Sequence, residues 1–569
     1  MNTRFVVVTT RRDHAVERAC RIADHLKSHG LQEVRRSSRQ IFLASPGASF
    51  EAFGPAITIF GTLYGRFTPP QGGPAHANDG TTERLARRLT NSSWGRYVAF
   101  FETDDDLGVM ADPSGSGIGY EVADEEVSLL CDRVDPSLLR AAGLTGRVEL
   151  NALHGCLIDP TTAIQAKFLR GVERLVPGRL HSLLGRHAPI AIWSPATVAE
   201  RRDDPEDRLR ASLDKTLSGP GCTRPLVQLS GGLDSSIIVS SLAAIAPMTR
   251  AMTATSAAGD VEETPHARSA AAHAGVPLIE KRSDALPDYR SFFDAPQIAH
   301  PYLHGLDDLF ANSVEDAGSD MGADAVVTGQ GGDALFFNSP SPLVAVDRRR
   351  ALGSWVARRS LVDDARRSGS TIWHHLIPAE LDRFRQTRIP SHTMVPPWVV
   401  RDRQSSTLNE PHPWTADASS LPPGKRLHIM MLANAQIFHS ERPTPSQMPL
   451  HHPLLSQPMM QAAMSIPVWM LASGSLNRGL ARRAFASRIP VDVARRGSKG
   501  EATVLYGRAA VANLQFLRET MLGGALASCG IVDEQRLEQL LTPDHLFYSL
   551  HNHSLILLAS CEAWLRAWR

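Results

Sequence analysis

The stretch that most constrains this chain is Leu226-Val227-Gln228-Leu229-Ser230-Gly231-Gly232-Leu233-Asp234-Ser235-Ser236, an apolar strand running into a Ser/Gly turn and then an apolar helix. Gly231 and Gly232 permit a sharp turn and close approach to a ligand. The amides of the helix start and the hydroxyls of Ser230, Ser235 and Ser236 present donors to an anion. A pyrophosphate fits such a nest. Asp234 would repel bound phosphate unless a cation stood between them, so its carboxylate argues for magnesium, a hard ion that prefers oxygen. A capped helix after a glycine turn is the plainer reading of the same residues. There is no GxxxxGK[ST] string, so a phosphate-clamping P-loop lysine is not expected.

Around this loop the chain alternates. Strands are expected at Leu226–Leu229, Ala251–Thr255, Val276–Ile279 and Ala325–Thr328, with helices at Ser235–Ala246, Thr264–Ala274 and Leu306–Ala317. Strand and helix in turn predict a parallel sheet wrapped by helices, an α/β fold. Before Arg186 the sequence is irregular, with β-like runs at Phe5–Val8, Ala56–Phe60 and Tyr97–Phe101, which predicts a mostly β first domain. The polar stretch between His187 and Leu209 reads as the connection, giving domains at 1–190 and 205–569. Beyond Leu352 the chain reads as largely helical. Pro396-Pro397 and the Pro-rich run from Pro443 to Pro453 read as loops lining a cleft.

The 60 Lys and Arg against 59 Asp and Glu leave a formal charge of +1, which lacks the signature of a protein that coats nucleic acid or an anionic membrane. The six Cys are spread singly, with neither CxxC pairs nor zinc spacing. No stretch approaches the apolar length of a membrane span. A cytoplasmic protein with no nucleic-acid or membrane partner is expected.

The SGGLDSS string after a short strand resembles the loop of the asparagine-synthetase-like ATP pyrophosphatases, which binds the phosphates of ATP in enzymes that adenylate a carboxylate. A second signature of that superfamily follows a later strand of the same sheet. Here Ala325-Val326-Val327-Thr328-Gly329-Gln330-Gly331-Gly332-Asp333 stands in that position. The resemblance implies ATP and Mg2+ as cofactors, with Asp234 and Asp333 as the two metal carboxylates. Leu229, Thr328 and Gly329 would contact the nucleotide through backbone atoms. In the basic loop Arg495-Arg496-Gly497-Ser498-Lys499-Gly500, the resemblance gives Lys499 the α-phosphate and the charge that develops during condensation.

Asn91–Phe101, Gly108–Gly115 and Leu175–Gly178 resemble the glutaminase domain that precedes the synthetase domain in asparagine synthetases, an Ntn-type β-rich sandwich. A working glutaminase uses the Cys after the initiator Met as its nucleophile, and Asn2 stands there. This domain is expected to be degenerate, without release of ammonia from glutamine, so the amine would belong to the substrate itself. At the second signature Gln330 replaces the Glu of asparagine synthetases; it can orient a substrate by hydrogen bonds but cannot serve as a base.

His452–Pro458, Asn477–Phe485, Arg496–Gly500 and Glu562–Leu565 are similar to stretches of lasso peptide cyclases. That resemblance implies ATP-dependent isopeptide formation in a precursor peptide, acting with a leader peptidase and a leader-binding protein. A small-molecule amide or β-lactam synthetase of the same superfamily and a noncatalytic ATP-binding scaffold stay open as alternatives.

Overall fold

The computed structural model describes residues 3–68, 81–144, 146–256, 263–283, 286–304, 311–382, 395–400, 410–442, 446, 448–497, 503–549 and 551–569. Two antiparallel sheets of six strands each occupy the first part of the chain. One runs in the order Val172–Arg174, Tyr120–Ala123, Val127–Cys131, Phe5–Thr10, Gln40–Ala44, Gln32–Arg36. The other runs Ile190–Ala191, Arg179–Ser182, Leu107–Ala111, Ser93–Glu102, Ile57–Gly65, Phe50–Phe53. Alternate residues of the strands face opposite ways. Phe5 and Val7 therefore meet Phe42, Phe60, Val98 and Phe100 between the sheets, while Val6 and Val8 face outward against Ala19, Ile22 and Leu26 of the helix Val16–Ser28. On the far side Leu85, Ala86 and Leu89 of the helix Thr82–Ser92 cover Ile57, Ile59, Ala99 and Phe101. The layers are helix, sheet, sheet, helix. The β-rich expectation holds for the strands, but the reading of the sequence did not anticipate the two covering helices.

A five-stranded parallel sheet follows, in the order Leu278–Ser283, Arg250–Ser256, Pro225–Gln228, Ala325–Thr328, Leu450–His451. Parallel sheets are covered on both faces, and the two-residue alternation shows how. Val227, Ala251 and Val327 pack toward Leu233, Ile237 and Ala267 of the helices Leu233–Ala243 and Glu263–Ala274. Leu226, Met252 and Val326 pack on the other face with Val314 of the helix Ala311–Asp320. The first residues of the helix expected at Leu306–Ala317 lie partly outside the described residues. Leu450–His451 corrects the expectation of an unbroken loop there: Val326 pairs with Leu450 and Val327 with His451. A strand of two residues close to Pro449 and Pro453 leaves no period to read.

The last third is helical, as expected. Its closing helix, Asn552–Trp568, buries Leu555, Leu558 and Cys561 in one continuous core with Leu153 and Cys156 of the early helix Leu150–Ile158. Trp564 stacks edge-on against Phe168 at 5.8 Å between centroids, and its indole N–H donates to the Ile298 carbonyl at 2.8 Å. Among the described residues no helix is long and apolar enough to cross a membrane.

Candidate active site

The central strand Pro225–Gln228 delivers its turn to the carboxyl edge of the parallel sheet, where ligands of open α/β sheets bind. Leu229 is buried and its N–H donates to the Met252 carbonyl at 2.8 Å, which fixes the start of the turn. Gly231 has a φ of +74°, in the left-handed region that glycine enters without strain. Ser230 stands exposed at the mouth, and its hydroxyl shares a hydrogen bond with the Ser235 hydroxyl at 3.2 Å and accepts from the Gly232 N–H at 3.3 Å. Ser236 departs from the expected arrangement. It is fully buried and its hydroxyl donates to the Gly232 carbonyl at 2.7 Å, bracing the first helical turn rather than facing the mouth of the loop.

The second loop leaves the neighbouring strand Ala325–Thr328 and runs against the first, backbone to backbone. A Cβ built on Gly329 would lie 2.6 Å from the Ser235 nitrogen, and one on Gly332 would collide with the Asp234 carboxyl group. These two glycines let the loops touch. As a result Asp234 and Asp333, 99 residues apart, come to one place. Both carboxylates accept from the same nitrogen: Arg478 Nη1 lies 2.6 Å from Asp234 Oδ2 and 2.8 Å from Asp333 Oδ1. Asp333 Oδ1 also accepts from Asn338 Nδ2 at 2.9 Å. In the sequence Arg478 is only one residue of the family-like stretch Asn477–Phe485. A buried arginine opposite two separately coded acids leaves no local pattern to find.

Arg482, one helical turn beyond Arg478, organises the basic loop. Its guanidinium donates to Asn477 Oδ1 at 2.8 Å and to the carbonyls of Val493, Ala494 and Arg496 at 3.1, 2.7 and 2.9 Å. Burial, with Arg478 nearby, lowers its pKa to about 10. Asp492 ties the same loop to the helix Glu263–Ala274, accepting from Ser269 Oγ at 2.8 Å and pairing with His266 at 3.1 Å. The loop thus sets out from beside the Ser230–Gly232 turn, whose Gly231 packs against His266 and Ala267 of the same helix. Lys499, and Asn2 at the position of a glutaminase nucleophile, lie outside the described residues.

Beyond the acidic pair, Gln228, Thr328, Gln330, Arg442 and His452 line a cavity of about 30 Å³. Thr328 Oγ1 accepts from the Gln330 N–H at 3.2 Å and hydrogen-bonds His452 Nδ1 at 2.7 Å. Burial pushes the His452 imidazole well below its usual range, so the ring is neutral at pH 7. Of the remaining stretches, Glu562 is structural. Its carboxylate accepts the N–H groups of Ala525 and Leu526 at 2.6 and 2.9 Å, capping the helix Ala525–Ser528.

Two carboxylates facing each other at the sheet edge supply the hard oxygen donors that Mg2+ takes when substrate phosphates complete its shell. Among the described residues no group of three or more His, Cys, Asp or Glu forms a full metal cage. The pair fits a site in which Asp234 and Asp333 would hold a metal shared with substrate phosphates. A bound Mg2+ would screen phosphate charge there.

The asparagine synthase family model matches residues 222–566, more than half of the chain. Among solved structures, a glutamine phosphoribosylpyrophosphate amidotransferase from B. subtilis complexed with ADP and GMP matches at 8% identity, covering 57% of this chain and 81% of that one, with a TM-score of 0.19. That superposition is too loose to bear on this chain's fold. No curated protein matches significantly. With the family match spanning the parallel sheet, both loops and the helical last third, the chain belongs to the asparagine synthase family, whose members use ATP to form amide bonds.

Proposed function

We propose that this chain closes a macrolactam in a precursor peptide. The side-chain carboxylate of an Asp or Glu attacks the α-phosphorus of ATP and pyrophosphate leaves. The peptide's freed N-terminal amine then attacks the activated acyl carbon, AMP departs and an isopeptide bond remains. The observation that carries this reading is the meeting of Asp234 and Asp333 just beyond the ends of adjacent parallel strands, beside the Ser230–Gly232 turn. That arrangement suits a metal-bound triphosphate cleaved between its α and β phosphorus atoms.

In this reading the turn at Ser230–Gly232 and the hydroxyl of Ser235 hold pyrophosphate, and Lys499 neutralises charge at the reacting phosphorus. Gln330, held by Thr328, orients the peptide amide. The first two sheets act as a degenerate Ntn-type glutaminase that docks the peptide, and ring closure comes from holding amine and acyl carbon in contact. A leader peptidase and a leader-binding protein supply the trimmed peptide in the cytoplasm. The finer assignment to a lasso-type cyclase rests on the resemblance of the later stretches.

The test is incubation with ATP, Mg2+ and linear core peptides encoded near the gene. AMP, pyrophosphate and a product one water lighter are expected. ADP with phosphate sinks adenylation, no nucleotide turnover with any substrate favours a scaffold, and turnover with free amino-acid derivatives alone favours a small-molecule synthetase.

A further inference from the structure

Arg478 occupies the point where the two metal carboxylates of the preceding reading meet, and its own geometry is uncomfortable. It sits at φ +54°, a left-handed conformation that a residue with a Cβ rarely adopts, immediately before the helix Gly479–Ala484. Its side chain is 6% exposed and, among the described residues, its buried Nε has no hydrogen-bond partner. One nitrogen, Nη1, serves both Asp234 and Asp333. Two carboxylates at such close quarters repel unless a cation lies between them. The guanidinium supplies a positive charge between them, at the point where both carboxylates converge.

We propose that Arg478 is the resident counterion of the acidic pair and makes metal entry depend on nucleotide. While the guanidinium bridges Asp234 and Asp333, a divalent ion must displace a charge-assisted contact and leave a buried cation unpaired, which is costly. Phosphates arriving at the turn give Arg478 new oxygen partners and offer its idle Nε an acceptor, so the carboxylates are released to the metal only then. The positive charge that stabilises the empty site moves to the phosphates. Arg478 is thus a positioning residue for the carboxylates, and it sets the order in which ligands assemble. The inference rests on the assignment of Asp234 and Asp333 as metal ligands.

The test uses Mn2+ as the probe, followed by electron paramagnetic resonance on the full chain, with and without α,β-methylene-ATP. The wild type is expected to take up Mn2+ weakly alone and at least about tenfold more tightly with nucleotide, the factor that one charge-assisted hydrogen bond represents. Arg478→Gln is expected to bind Mn2+ without nucleotide at least about tenfold more tightly than the wild type, and Arg478→Lys, whose ammonium ends one bond short of the Nη1 position, in the same direction. A merely structural arginine would lower the melting temperature without raising metal affinity. Should either folded variant match the wild type in nucleotide-free Mn2+ affinity, or should the wild type bind Mn2+ equally well without nucleotide, the proposal is overturned. Asp234→Asn and Asp333→Asn form the separate control: unchanged Mn2+ uptake in both, with nucleotide present, removes the metal assignment itself.

Discussion

Arg133 and Glu441 meet inside the protein, Nε to Oε1 at 3.1 Å, with side chains 6% and 7% exposed. The pair joins the segment after the strand Val127–Cys131 to the segment leading toward Leu450–His451, and Arg133 Nη1 also donates to the Arg442 carbonyl at 3.2 Å. The antiparallel sandwich and the edge of the parallel sheet are therefore coupled through a charge held away from water.

Burial raises the Glu441 carboxyl to about 8 against the pull of Arg133. A folded value above the ordinary 4.5 means that the stability contributed by the protonated form is complete below 4.5 and is lost as pH rises through about 8. Glu441→Gln keeps the shape without the charge. Its melting temperature is expected to fall less than that of the wild type between pH 6 and 9, and parallel curves would refute this assignment.

Histidine acts in the opposite direction. Burial lowers His300, His412, His428 and His439 to about 3 each. A depressed folded value gives stability that is complete above the ordinary 6.5 and lost as pH falls toward 3. The melting temperature is expected to drop steadily on acidification below pH 6.5. His428→Gln, which can still donate to the Leu335 carbonyl that His428 Nε2 contacts at 3.0 Å, should flatten that slope. Scanning calorimetry across pH 7 to 4 decides it.

Gly329→Ala pushes a methyl toward the Ser235 nitrogen and the Asp234 carbonyl carbon, both backbone atoms that cannot swing aside. Overpacking of this kind costs roughly 1–3 kcal/mol. It also spreads the two carboxylates. ATP affinity, measured by calorimetry, is expected to fall at least about tenfold while the antiparallel sandwich stays folded; unaltered affinity would show that the loops need not touch.

Arg482→Met removes the contacts that gather the carbonyls of Val493, Ala494 and Arg496. The loop should loosen without general unfolding. Limited trypsin digestion is expected to cut after the exposed Arg495 several-fold faster than in the wild type. Circular dichroism should be unchanged. Equal cutting rates would mean that the contacts of Asp492 and the Arg496–Glu263 pair hold the loop without Arg482.

The chain's own text specified the parallel sheet and the serine/glycine turn at its edge, because strand, glycine turn and helix each leave a local period or a residue type that only that geometry uses. Asp234 and Asp333 stand out in the sequence because each follows a strand and a glycine turn, and their pairing was implied by the family resemblance of the two loops. Arg478 does not. Its role depends on a contact across 244 residues, and nothing in Asn477–Phe485 marks one arginine as facing inward when Arg482 and Arg483 stand beside it. The strand Leu450–His451 and the shared core of Leu150–Ile158 with Asn552–Trp568 were likewise invisible, one too short for periodicity and the other a matter of which apolar faces meet. Local chemistry can be read along a chain, whereas the pairing of distant charges and faces exists only once burial has brought them together.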